Sequence, residues 1–320
     1  MTQASPRQLG ALGFCAFSVP AVLLLPHLGW LWASIAAVCV AALMLLALHL
    51  CRKNELPLAP TAAKWKLGRV LLLLALLWNL LLLGAAAKQL CAAFPDGKDT
   101  PLVGLLLLLL AVYAAKRGRG PRVAAIVFFF LLGIYALLFG FSLTELRGEY
   151  LIPETQVDFV GLTAALAPTS LLYLCRGGRG TGRTWIMGGI LLAFAAAFMT
   201  AGILSAPVAA QQDFALYEAA KSVSIFGVIG RLEPLVSTAV SMGGFCMLCL
   251  LCSANGQMLS SLSPKAEKWI VPINLFVPMG FLWLSSFISG VVIAVGTTIF
   301  WGIFPLATLL LGTRKKFEKK

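Results

Sequence analysis

Leu9–Cys51 reads LGALGFCAFSVPAVLLLPHLGWLWASIAAVCVAALMLLALHLC and contains no Asp, Glu, Lys or Arg. Crossing a hydrocarbon core of roughly 30 Å takes about 20 helical residues. The stretch is therefore long enough for two crossings, with Pro26–Gly29 as the turn between them. Its apolar residues run on without alternation, which favours helices over barrel strands. The first run leads straight into the second with no small-residue cleavage site, so it reads as a spanning helix and not as a removable signal.

The rest of the chain continues the pattern. Of its 320 residues 60% are hydrophobic and 12% charged, against about 25% charged in soluble domains. A water-soluble fold of this size could not hide so much apolar surface. Crossings are expected at 9–28, 30–51, 67–92, 101–115, 121–143, 157–175, 184–207, 233–262, 269–288 and 291–312. The fold class is thus an all-α polytopic membrane protein with about ten transmembrane helices, read as a single domain over 1–320.

The net charge of +13 raises the question of nucleic acid, but its distribution answers a different one. Arg52 and Lys53, Lys64, Lys66 and Arg69, Lys116, Arg117, Arg119 and Arg122, Arg176, Arg179 and Arg183, Lys265 and Lys268, and Arg314, Lys315 and Lys316 all fall on one side of this topology. The other side carries Lys88, Lys98, Arg147, Lys221 and Arg231. That is the positive-inside bias. It places both termini in the cytoplasm and assigns the basic loops to the membrane surface, with membrane lipids and not nucleic acid as their partner. The longest outer loop, 208–232, contains Tyr217-Glu-Ala-Ala-Lys221-Ser-Val-Ser-Ile225, whose mixed polarity at helical spacing predicts a short surface helix.

Several motifs resolve into ordinary structure. Gly177-Gly-Arg-Gly-Thr-Gly182-Arg183-Thr184 is close to a phosphate-binding loop, but that motif needs a preceding strand, and both flanks here are membrane helices. Cys246, Cys249 and Cys252 lie within an apolar helix, where cysteine acts as a small hydrophobe. No metal, cofactor or disulfide framework is expected. His27 and His49 are isolated at helix ends, with no nucleophile or carboxylate paired to them, so no catalytic residue is assigned. The crossings almost lack charge, which argues against proton relays within the membrane. Asn79 is the notable polar residue there and reads as a helix–helix hydrogen-bonding group.

Two interruptions are more informative. The first crossing contains Ser18-Val-Pro20 and the sixth contains Ala167-Pro168-Thr169-Ser170. Each opens one half of a five-plus-five arrangement, with halves at about 9–143 and 157–312. Five is odd, so the halves have opposite orientation. Broken helices at matching places of inverted halves point to a midplane substrate site. A proline removes a backbone donor and disturbs the preceding turn. Amides freed at a new half-helix start can hold a carboxylate, and Thr169 and Ser170 can cap that start or bind ligand. The ligand-binding candidates are therefore Ser18, Pro20, Pro168, Thr169 and Ser170. Ser241 and Gly244 of the eighth crossing join them, as small or polar residues able to line a cavity.

Ser5-Pro-Arg7-Gln8-Leu9 before the first crossing resembles the start of the B subunit of GerA-type spore germinant receptors. YEAAKSVSIFGVIGRLEPL, from Tyr217 to Leu235, resembles that family's outer loop, with Glu218, Lys221, Ile225, Arg231 and Glu233 matching its polar and apolar pattern. The basic end, Arg314-Lys315-Lys316, also fits. The family is similar to amino-acid permeases of the APC superfamily, and the resemblance implies a LeuT-type inverted five-helix repeat with broken first and sixth helices. It further implies a protein of the spore inner membrane that senses a small nutrient, often an amino acid, together with a receptor A subunit and a lipoprotein C subunit. Two departures stand out. The sixth crossing reads Leu166-Ala-Pro168-Thr169-Ser170, without the acid frequent in the family, and Gly243 is followed by Met247 where a Lys is frequent. Both remove buried charge. The alternatives are a stand-alone amino-acid permease in the cell membrane, working by alternating access, and a membrane scaffold that binds nothing.

Overall fold

The computed structural model describes residues 5–54, 57–92, 102–152, 163, 166–174, 183–212, 214–223, 232–284 and 290–317. The first helix, α1, spans Pro6–Leu23. Its start is dictated locally. Ser5 accepts from the Gln8 amide, Gln8 Oε1 accepts from the Ser5 amide, and Pro6 occupies the first turn, where an N–H has no helical partner. A 3₁₀ turn over Leu25–Leu28 and a left-handed Gly29 (φ 70°) lead into α2, Gly29–Asn54.

The helices that follow are α3 (Leu58–Ala62), α4 (Lys66–Ala92), α5 (Leu102–Lys116), α6 (Gly120–Ser142), α7 (Arg183–Leu204), α8 (Ala206–Gln211) and α9 (Ala215–Ser222). After them come α10 (Glu233–Leu262), α11 (Ile270–Leu284), α12 (Gly290–Thr297) and α13 (Phe304–Phe317), the last two joined by a π-helical turn over Thr298–Ile303. Helix thus stands at each expected crossing. The sixth is described mainly as a 3₁₀ helix, Ala167–Tyr173. The surface helix expected in the outer loop is α9. The glycine-rich turn at 177–182, Ile225 and Arg231 lie outside the described residues.

Among the described residues, Leu25–Cys51, Lys66–Cys91, Gly120–Glu145, Glu233–Leu262 and Gly290–Leu311 are long and apolar enough to cross a membrane. Arg7–Leu23, Leu102–Lys116 and Gly188–Leu204 are shorter apolar helices. At 1.5 Å per residue the 15 residues of α5 span about 22 Å, less than a full hydrocarbon core. α5 lies close against α4: a Cβ on Gly104 would stand 2.1 Å from the Ala87 carbonyl oxygen.

Burial separates two kinds of helix. α1 is buried on every side from Gly10 to Val22, as a helix apolar all round should be at the centre of a bundle. It packs chiefly against α10, α7 and α6, and α10 packs in turn on α4, α5 and α6. The outer helices turn large apolar side chains outward, among them Leu106, Leu109, Ile126, Phe129, Phe130 and Val291. In water such a surface would aggregate; against acyl chains it is matched.

The proline break expected at Ser18–Pro20 is corrected by α1. The helix continues through Pro20, because the Leu24 amide resumes the ladder on the Pro20 carbonyl at 3.0 Å and neighbours enclose the turn on all sides. α1 ends only at Leu24, followed by the 3₁₀ turn. The sixth crossing does depart from α geometry, with Pro168 in the first turn of its 3₁₀ segment.

Candidate ligand site

α1, the 3₁₀ segment Ala167–Tyr173 and α10 converge. At this junction Ser18 of α1 is fully buried and donates to the Cys15 carbonyl oxygen at 2.6 Å. Gly243 of α10 faces it: a Cβ there would lie 2.4 Å from Ser18 Oγ and 3.1 Å from the Cys15 carbonyl oxygen. The absent side chain is what lets α10 reach the α1 backbone, the usual part of glycine between membrane helices. The Tyr135 ring of α6 brings its hydroxyl beside Ser18 and Cys15, and that hydroxyl is buried without a hydrogen-bond partner. The Cys15 thiol donates to the Ala124 carbonyl oxygen and lies beside Cys246 of α10.

The 3₁₀ segment reaches the same core. A Cβ on Gly13 of α1 would meet Leu171 at 3.1 Å. Thr169 and Ser170 are fully buried. Thr169 donates its hydroxyl to the Leu166 carbonyl oxygen at 2.6 Å and its amide to the same oxygen at 2.9 Å. The amide at this break is thus already bonded in this conformation, and a ligand carboxylate would have to displace that bond. Tyr173 donates to the Phe300 carbonyl oxygen at 2.7 Å, tying the segment to the π-helical turn of the last crossing. π-turns recur at functional sites because they leave backbone groups out of the ladder.

Asn79 sits in the same tier, fully buried, and accepts from Trp301 Nε1 at 2.5 Å while its own Nδ2 has no partner. The helix–helix hydrogen bond expected of it is present. A second such pair is Asn255 of α10 donating to Asn274 of α11 at 2.8 Å.

The remaining candidates diverge. Gly244 faces away from α1, toward Leu90 of α4, whose Cδ2 would lie 2.3 Å from an added Cβ. Ser241 opens into a cavity at the N-terminal part of α10. Pro20 is within α1, and Pro168 is described here by its backbone place alone. Sequence reasoning missed Gly243 as a contact and Tyr135 as a neighbour of Ser18. The signal for Gly243 was the Gly243–Gly244 pair within an apolar run; Tyr135 carried none, because tertiary packing alone brings α6 to α1.

Among the described residues the fully buried polar side chains are hydroxyls and amides, without a charge. No group of three or more His, Cys, Asp or Glu side chains gathers there in a way that could hold a metal ion. The junction can therefore offer hydrogen bonds, aromatic faces and apolar walls, but no fixed counter-ion.

The manganese transporter of Eremococcus coleocola, solved with an aromatic bis-isothiourea substituted compound, is similar to this chain with a TM-score of 0.65 and 14% identity, over 96% of this chain and 76% of that one. Mhp1, a nucleobase-cation-symport-1 family transporter solved in a closed conformation with bromovinylhydantoin bound, gives 0.59 and 12% identity, over 95% and 77%. No protein-family model matches the chain, and no curated protein matches it. At such identity the likeness speaks for fold alone, and it extends over nearly the whole chain: this is an integral membrane protein with the all-helical, LeuT-like fold of membrane transporters.

Proposed function

We propose that this chain is the permease-like subunit of a spore germinant receptor and recognises a small neutral or zwitterionic nutrient, such as an amino acid. The observation that carries the reading is the junction of α1, the 3₁₀ segment and α10. It lies within a transporter fold, its elements carry the buried hydroxyls of Ser18, Thr169 and Ser170, and it has no buried charge among the described residues. The hydroxyl protons of Ser18 and Thr169 go to backbone carbonyls, so toward a ligand they present lone pairs, which suit an ammonium group. The carboxylate end would take the Thr169 amide in exchange for Leu166. The resemblance at Ser5–Leu9 and Tyr217–Leu235 supplies the rest: inverted halves at about 9–143 and 157–312, cytoplasmic termini, the spore inner membrane, and an A subunit and lipoprotein C subunit as partners.

A nutrient drives signalling only by binding one conformation better than another. The junction is closed in this structure, with Ser18, Thr169 and Ser170 fully buried. The ligand-competent state must part α1 from the 3₁₀ segment or from α10. The second reading, a working permease, is favoured by the fold likeness to two transporters.

Uptake of a labelled amino-acid panel into proteoliposomes, with binding measured on the same preparation, tests both. Binding without uptake is the expected result. Saturable uptake by the chain alone would replace the sensor with the permease. Thr169→Val with Ser170→Ala should weaken binding about tenfold or more, the loss of one to two buried hydrogen bonds, at unchanged expression. Unaltered affinity would remove the 3₁₀ segment from the site.

A further inference from the structure

The N-terminal part of α10 holds a second site of different chemistry. A cavity of about 600 Å³ lies between α9 and the first turns of α10, lined by Tyr217, Glu233, Pro234, Ser237, Thr238, Ser241 and Met242. Two of its hydroxyls share one property. Thr238 donates its hydroxyl to the Pro234 carbonyl oxygen at 2.7 Å, and Ser241 donates to the Ser237 carbonyl oxygen at 2.6 Å. Both oxygens are left as acceptors. Glu233 adds a carboxylate, and its Oε2 is buried with no hydrogen-bond partner. Tyr217 adds the electron-rich face of a ring.

A buried carboxylate oxygen without a donor is costly, and two of the lining hydroxyls, Thr238 and Ser241, direct their protons to backbone carbonyls and not to it. The chain also shows what the rim accepts. Lys221 places its ammonium 4.9 Å from the Tyr217 ring centroid, within cation–π range. That ammonium is held by Glu218 at 3.1 Å and attracts Glu233 from farther off, without a hydrogen bond to its Oε2. Of the described lining residues Glu233 alone carries a charge, and beside the pocket Glu218 and Lys221 cancel each other.

The geometry points to a binding site for a small primary ammonium compound, with Glu233 as counter-ion, the Thr238 and Ser241 oxygens as acceptors and Tyr217 as a wall. An ammonium has three donors and no acceptor, which complements this lining. A bare metal ion would instead want a full shell of oxygens. The inference does not rest on the midplane reading, because it uses none of Ser18, Thr169 or Ser170.

The test is a saturation-transfer NMR titration of ethylammonium on the full chain in lipid nanodiscs at neutral pH. Saturable binding is expected, weakened about tenfold or more in Glu233→Gln, where the charge-assisted bond is lost. Thr238→Val with Ser241→Ala should weaken it severalfold and provides an independent arm should Glu233→Gln fail to fold. Thr169→Val with Ser170→Ala should leave it unchanged, which separates this site from the midplane one. Three results would overturn the proposal: no saturable binding to the native chain, equal affinity in both outer-site variants, or displacement by sodium as effective as by methylammonium.

Discussion

Two parts of α10 use small residues to opposite ends. At Gly243 and Gly244 the missing side chains are filled by neighbours, Ser18 and the Cys15 carbonyl on one side and Leu90 on the other. At Ser237, Thr238 and Ser241, less than two turns away, comparable small residues border a cavity. The difference lies in what stands opposite. Gly243 faces α1, a helix enclosed on every side. Ser241 borders a cavity shared with Tyr217 of α9, a short helix that covers the N-terminal part of α10 less completely. Small residues in a membrane helix therefore announce either close approach or open space, and the partner determines which.

The sharpest way to break this comparison is to add one carbon to each glycine. Gly243→Ala would drive a Cβ against Ser18 Oγ and toward the Cys15 backbone oxygen, and should destabilise the protein by about 1–3 kcal/mol. Gly244→Ala meets the ends of a Leu90 side chain that can turn, and should cost clearly less. Thermal unfolding of both variants in the same detergent checks the order, and equal losses would refute the assigned contacts.

A smaller effect tests the buried polar pair of Asn79 and Trp301. Trp301→Phe removes the donor to Asn79 and leaves a fully buried amide without either bond. A loss of about 1–2 kcal/mol is expected, the scale of hydrogen bonds between membrane helices. Asn79→Leu combined with Trp301→Phe should recover part of it, because removing both partners is less costly than orphaning one. A double variant no better than the single one would assign Trp301 to packing alone.

The smallest effect belongs to the outer surface. Lys221 is held above the ordinary lysine range, first by its hydrogen bond to Glu218. A raised pKa means the contribution is present at and below neutral pH and fades only as pH climbs through that raised value. The group is exposed, and exposed pairs contribute little, so Lys221→Met should leave the melting temperature unchanged at neutral pH. A clear drop would mean that Lys221 steadies α9 itself, through Tyr217 as well as Glu218.

Much of the architecture was legible because it follows from local chemistry. The capping box at Ser5–Gln8 starts α1, uninterrupted apolar runs set the crossings, and the mixed polarity of Tyr217–Lys221 marked α9. The site was legible only in part. Pro168 pointed to a break in the sixth crossing, and a 3₁₀ segment carrying the buried Thr169 and Ser170 stands there. Pro20 misled, since a proline enclosed by neighbours can be carried inside a helix. Gly244 and Ser241 were grouped by residue type, yet they face different partners.

The sequence by itself determined the solvent, the helical class and the approximate crossings, because burying backbone polar groups in lipid leaves helices as the means of spanning with continuous apolar runs. Only the tertiary structure decided that α1 is the enclosed centre, that Gly243 and not Gly244 touches Ser18, and that Glu233 borders a cavity with its Oε2 buried and without a hydrogen bond. Those facts depend on which helix faces which. An apolar helix surrounded by apolar helices carries no amphipathic stripe from which its neighbours could be read.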